Sequence, residues 1–292
     1  MGTVELGLEY GIPVSPDHRV PSRKEAEGIL NLALDAGINF IDTAREYGDS
    51  ESKIGDAISH RRNEYVLATK VLVGDNQQGE DLVRHVEASV LESLRALKTD
   101  FVDVIQIHSA TLEMIQRGQV LGSLQRMKEK GAARFIGATT YDDASAMAVI
   151  ADGGFDCLQV AYNLLDRDLE RTVLPSAGER GAGVIARSVL LKGALTHRYS
   201  YLPPALDDLK EAVAELDAVA QSVSMSLPEM ASRWVLSHPA VSTALVGMAS
   251  PAELTATVQY SCQGPLESSL MERVRRIKVS DSKQLNPSTW PF

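Results

Sequence analysis

Short apolar runs alternating with amphipathic helical stretches predict a closed (β/α)8 barrel, the TIM-barrel architecture, rather than an open doubly wound sheet. Three observations carry this. The alternation recurs eight times along the chain. The runs are nearly continuous in apolar residues, as in Val102, Val104, Ile105 and Ile107, which implies burial on both faces and a parallel sheet. No composition shift or low-complexity segment divides residues 1–292, so a single barrel domain is expected.

The elements follow in order. A short opening strand is expected near Gly2–Leu6, then strands at Asn39–Asp42, Tyr65–Lys70, Phe101–His108, Arg134–Thr139, Cys157–Tyr162, Gly183–Ser188 and Val241–Val246. Helices are expected over Arg23–Ala36, Asp81–Leu97, Gln119–Lys130 and Leu206–Val223. Their apolar residues recur at three- and four-residue steps, as in Leu82, Val86, Val90, Leu94 and Leu97. Gly37 and Gly131 stand where a helix stops before a strand. From Ser188 to Val246 the chain is about twice as long as the other repeats, so an extra loop and helix are expected after the seventh strand.

Composition narrows the function. With 29 basic and 39 acidic side chains the net charge is −10, which disfavours nucleic acids and anionic membranes as partners. No apolar run reaches the roughly 20 residues of a membrane span, and the MGTVELGLEY start shows neither a signal peptide nor a myristoylation motif. Two cysteines, Cys157 and Cys262, give no disulfide framework, so a soluble cytoplasmic protein is expected. The histidines at 18, 60, 85, 108, 197 and 238 show no paired metal spacing, so no metal site is expected. Gly181–Ala186 fits G-x-G-x-x-A but precedes a strand, the wrong context for a Rossmann loop, and no P-loop occurs. His60-Arg61-Arg62 and the Arg273–Lys278 cations read as helix ends.

Barrel enzymes work at the carboxyl ends of their strands, and here those ends read Asp42, Lys70, His108, Thr139-Thr140, Asn163 and Ser188. With Tyr47 they place four titratable groups on one rim. A free tyrosine is a weak acid with a pKa near 10, and an ammonium beside it favours the phenolate. Asp42 would orient Lys70, and His108 would hydrogen-bond a carbonyl oxygen and position it against the Tyr47 hydroxyl. Such a set gives a carbonyl a proton while a hydride arrives from elsewhere, which implies a nicotinamide or flavin.

The run Phe40-Ile41-Asp42-Thr43-Ala44-Arg45-Glu46-Tyr47-Gly48, followed by Ser50-Glu51, resembles the aldo-keto reductase signature. Val66–Lys70, Ile105–His108 and Phe135-Ile136-Gly137 match the following strands of that family in order, and the resemblance covers essentially the whole chain. It implies Asp42, Tyr47, Lys70 and His108 as catalytic tetrad, with Tyr47 the general acid or base, and a nicotinamide extended across the strand ends. Residue by residue it implies cofactor contacts at Gly2, Thr3, Asp42, Gln159, Ser188, Leu190 and Gly193, with Gly247, Met248, Ser250, Glu253 and Thr257 around the adenosine. Asn163 falls among the polar groups of the same strand end as Gln159. Thr139-Thr140 stand where the family often has Ser-Asn, and two hydroxyls replace that contact. Arg187 stands where many members stack an aromatic ring on the nicotinamide; a guanidinium plane can also stack.

The leading function is thus interconversion of a carbonyl (aldehyde, ketone or aldose) and an alcohol with NAD(H) or NADP(H). Tyr10, Tyr47 and His108 are expected to face a small carbonyl or sugar substrate. A strong NADPH preference is not expected, because Gly247–Glu253 contains no Lys or Arg and Glu253 falls where an arginine often stands. The alternatives are a cofactor-sensing barrel with little turnover and an aldolase-type barrel with Lys70 as Schiff-base nucleophile.

Overall fold

The structure is a computed structural model and describes residues 1–13, 19–74 and 77–292; His18 lies outside the described residues. Among the described residues, seven parallel strands follow one another around a ring: β1 Phe40–Asp42, β2 Val66–Leu72, β3 Val102–His108, β4 Ala133–Thr139, β5 Cys157–Ala161, β6 Gly183–Arg187 and β7 Thr243–Ala244. Helices separate them, as parallel pairing of consecutive strands requires. Every residue of β3 from Val102 to Ile107 is buried, as expected of a strand covered on both faces.

The expected opening strand shrinks to one residue. Gly2 bridges in parallel to Asp42 on one side and to Gly247 on the other, and so joins the two ends of the seven-stranded ring. The Gly2 N–H donates to the Val246 carbonyl at 3.0 Å, and the Asp42 N–H to the Met1 carbonyl at 2.9 Å. Beyond Thr3 the expectation of a strand fails: Val4–Gly7 is a helical turn. Its carbonyls find other partners. The buried Lys53 ammonium donates to the Leu6 carbonyl at 2.6 Å and to Pro21 at 2.8 Å, and Asp49 balances its charge at 2.9 Å.

The long segment between β6 and β7 carries two helices, Asp207–Gln221 and Leu227–Leu236, where a simple repeat needs one. The Gly181–Ala186 motif ends a helix at Gly181 (φ +68°) and enters β6, so it opens no helix for a phosphate.

Side chains alternate faces along a strand, and that alternation positions the site. Phe40, Ala68, Val104, Cys157, Ile185 and Leu245 pack together as an apolar plug inside the ring. Gly137 belongs to the same layer: a Cβ there would lie 2.6 Å from Cys157 Sγ, so only glycine fits. Two residues further along each strand stand Asp42, Lys70, Gln106, Thr139, Gln159, Arg187 and Gly247. The plug closes the floor, and the polar layer rests on it.

Candidate active site

Asp42 is the hub of that layer. Its Oδ2 accepts from Lys70 Nζ at 2.5 Å, and its Oδ1 accepts from Gln159 Nε2 at 2.8 Å and Gln106 Nε2 at 3.1 Å. Lys70 is fully buried and also donates to the Thr43 carbonyl at 2.8 Å. Burial alone would drive its proton off, but Asp42 and Tyr47 outweigh burial and hold its pKa above the ordinary lysine value. The site therefore contains a fixed ammonium with no access to solvent.

The Lys70 ammonium sits 4.8 Å from the centre of the Tyr47 ring. Tyr47 comes from the turn after β1, where its N–H donates to the Ala44 carbonyl at 3.1 Å and its own carbonyl accepts from Ser50 N at 3.0 Å. Burial raises the phenol above its usual pKa; Lys70 pulls it down and Asp42 pushes it up, with the net shift upward. Lys70 thus favours the phenolate, and burial outweighs it. His108, at the end of β3, meets the Tyr47 ring edge-on at 5.9 Å, and its Nδ1 lies 3.0 Å from Glu46 Oε2.

A cavity of about 380 Å³ opens above these groups. Gly2, Thr3, Asp42, Tyr47, His108, Gln159, Arg187, Ser188, Leu190, Gly193, Gly247, Glu253, Thr257 and Tyr10 all line it. Lys70 lies beneath its floor. Four expected contacts fall elsewhere. Met248 turns into the core, Ser250 faces a neighbouring cavity, Thr139 is buried, and Thr140, also buried, borders a separate cavity beside Tyr141 and Arg187. Thr139 Oγ1 accepts from Ser109 N at 2.7 Å and so holds the turn after His108. Asn163 is likewise committed to the backbone: its amide oxygen accepts from Leu165 and Asp166 N–H, both at 2.9 Å.

The aldo/keto reductase family profile matches residues 1–279. The chain belongs to the aldo/keto reductase family. It is accordingly a nicotinamide-dependent oxidoreductase. Among its relatives, L-galactose dehydrogenase of Arabidopsis thaliana is 30% identical, over 88% of this chain and 82% of that protein. D-threo-aldose 1-dehydrogenase of a Pseudomonas species is 27% identical, over 83% and 85%. The holo form of an aldo-keto reductase from Bacillus halodurans superposes with a TM-score of 0.78 at 25% identity, over 95% of this chain and 90% of that one.

For an aldo/keto reductase, the residues present suit a dinucleotide. Arg187 Nε, on the cavity wall, is buried with no hydrogen-bond partner among the described residues, although Arg187 also donates to the Thr140 carbonyl at 3.0 Å and lies over the Tyr141 ring. An unpaired buried donor of this kind costs free energy unless a ligand engages it. The same cavity is lined by Arg198, Glu253, Thr257 and Tyr260. There Arg198, from the His197–Tyr201 turn, pairs with Glu253 at 3.3 Å. Glu5 stands against Gly247, where a Cβ would lie 2.9 Å from its carboxyl oxygen, and burial with Glu253 nearby raises its pKa to about 7 against the pull of Arg198.

Sequence reading missed Glu5, Glu46, Gln106 and Arg198. Gln106 was within reach, because it stands two residues before His108 on a buried strand and so shares its face. Arg198 lies in the irregular segment after β6, where no periodicity assigns a direction.

Proposed function

We propose that the chain, as one barrel domain over residues 1–292, transfers a hydride between a nicotinamide dinucleotide and a small aldehyde, ketone or aldose. The observation that carries this reading is the order Asp42–Lys70–Tyr47 opening on one cavity with His108. The bound nicotinamide supplies or takes up the hydride. Gln159, Arg187, Ser188, Leu190 and Gly193 would hold it on the cavity wall, with Thr140 behind them, while Glu253 and Thr257 would face the adenosine.

Tyr47 gives its proton to the oxygen of the reduced carbonyl, or receives it from the alcohol in reverse. Lys70 then stands beside the phenolate that forms, and Asp42 keeps Lys70 charged and in place. Because these partners are fixed before substrate arrives, no reorganisation is needed as charge develops. The names of the sugar dehydrogenases among the relatives favour an aldose or related polyol as substrate.

The test is a panel of aldehydes, ketones and aldoses, assayed by the absorbance change of NADH and NADPH, with Tyr47→Phe beside the wild type. Turnover should fall by about 10²–10⁴ in the variant while quenching of protein fluorescence by nucleotide is kept. Retention of more than about a tenth of the rate would remove Tyr47 from its role. Nucleotide binding without turnover across the panel would favour the sensing barrel instead.

A further inference from the structure

We infer that Arg187 makes the site discriminate between the two oxidation states of its nicotinamide: a guanidinium without an ion pair, on the wall beside the reacting groups, disfavours the positively charged oxidised ring and favours the neutral reduced one. This rests on the oxidoreductase reading above and extends it to the affinity for each form.

Arg187 ends β6. Ile185, two residues earlier, belongs to the apolar plug, so the alternation of the strand brings Arg187 into the polar layer with Asp42 and Lys70. It lines the same cavity as Tyr47. Its guanidinium is held by neutral partners: one nitrogen donates to the Thr140 carbonyl at 3.0 Å, another to Ser188 Oγ at 3.3 Å, and Cζ lies over the Tyr141 ring, 4.2 Å from its centre. Nε is buried without a partner, and Arg187 forms no ion pair among the described residues. Asp166, which borders the adjoining cavity, feels this cation, but burial outweighs the pull and raises its pKa to about 6. The other cations about the main cavity are engaged. Lys70 pairs with Asp42 at 2.5 Å, Arg198 pairs with Glu253 at 3.3 Å, and Lys192 is drawn over the Phe292 ring at 4.8 Å.

Proton and hydride go to the two atoms of one C–O bond. With Tyr47 serving the oxygen, the ring that serves the carbon must lie against the same polar layer, within the field of Arg187. Oxidised and reduced dinucleotides share their phosphates and sugars and differ by one positive charge on the ring. Attraction of the phosphates by wall cations cancels in a comparison of the two forms, whereas repulsion of the charged ring by Arg187 does not. At a partly buried wall that repulsion is weakly screened. The same difference bears on the redox step. In alcohol oxidation the C–H bond breaks as its hydride passes to the ring, the hydroxyl proton passes to the Tyr47 phenolate, and the ring loses its positive charge as the alcohol becomes a carbonyl. Relief of the repulsion from Arg187 favours that direction on the enzyme. A tenfold tighter hold on the reduced form corresponds to about 30 mV for such a two-electron couple.

The test is binding rather than turnover. Dissociation constants for NAD⁺ and NADH, with NADP⁺ and NADPH as a second pair, are measured by quenching of protein fluorescence in the wild type, Arg187→Met, Arg187→Lys and Lys192→Met. In the wild type the reduced form should bind about tenfold or more tightly than the oxidised form. Arg187→Met should cut that ratio about fivefold or more, and Arg187→Lys, which keeps the charge, should retain most of it. Lys192→Met should shift both forms alike. A merely structural role for Arg187 would weaken both forms together and leave the ratio unmoved. A wild type that holds the oxidised form as tightly as the reduced, a ratio unchanged in Arg187→Met, or a ratio lost in Lys192→Met instead overturns the inference and leaves the oxidoreductase reading intact. If Arg187→Met does not fold, Arg187→Gln carries the same comparison, and the wild-type ratio still decides by itself against the inference when it is near one. Binding of none of the four nucleotides by the wild type brings down the oxidoreductase reading together with the inference.

Discussion

Tyr47 stands between opposing influences, and their balance sets its pH behaviour. Burial, the larger influence, holds the proton on; Lys70 favours its loss; Asp42 opposes Lys70. Lys70→Met removes the only one of these three that stabilises the phenolate. In the alcohol-oxidation direction, where the phenolate accepts the proton, the ascending limb of the rate profile should therefore move to higher pH. The check is kcat/KM for an alcohol against pH in the wild type and in Lys70→Met. A superimposable limb in a variant that still turns over would mean that Lys70 does not act on Tyr47. The same substitution leaves the Asp42 carboxylate buried with Gln106 and Gln159 as its side-chain donors among the described residues, so a lowered melting temperature should accompany it.

Among the elements, the turn after β1 is held by a close approach of two backbone segments. A Cβ built on Gly7 would overlap the Tyr47 carbonyl oxygen and crowd Ser50 N, and one on Gly48 (φ +56°) would overlap the Gly7 carbonyl. Gly7→Ala should accordingly displace the Tyr47 turn. The expected outcome is about 1–3 kcal/mol lost in stability and a fall in kcat approaching 10²-fold, the cost of moving a catalytic group by about 1 Å. Gly122→Ala, in the Gln119–Glu129 helix where a Cβ meets nothing within 4 Å, is the control and should be neutral or mildly stabilising. Equal effects of the two would show that the Gly7 contact does not position Tyr47. The strands themselves were legible because burial on both faces leaves a continuous apolar run, and period two then delivers Asp42, Lys70 and His108 to one rim. The Val4–Gly7 turn was not, since four residues carry too little pattern to separate strand from helix, and Lys53, which holds the Leu6 carbonyl, lies far along the chain. Likewise the Glu46–His108 contact joins residues 62 positions apart, which neither residue type announces.

At the scale of the whole molecule, the cavity must receive an anionic dinucleotide although the chain carries a net charge of −10. Among the described residues, the cavity wall carries two carboxylates, Glu5 and Glu253, beside the Arg198 guanidinium, which Glu253 already engages. A 2′-phosphate placed there meets a net negative cluster, whereas a ribose 2′-hydroxyl can donate to a carboxylate. The wild type should therefore show a kcat/KM ratio for NADPH over NADH no greater than about 10, equivalent to roughly 1.4 kcal/mol. Glu253→Arg should move that ratio toward NADPH, and Glu5→Gln should do so by a smaller step. Acidity supplies an independent check. The Glu5 pKa is raised to about 7, so its charge is absent on the acid side and appears as pH rises through that value. The NADPH-to-NADH ratio should accordingly fall across neutrality in the wild type more steeply than in Glu5→Gln, where that carboxyl is gone. Added salt should narrow the difference between the two nucleotides, because it screens the molecule's own field in this partly open cavity. A wild-type ratio well above 10, or one that neither substitution shifts, would mean that the 2′ position lies out of reach of this cluster and that Arg198 or backbone amides hold it instead.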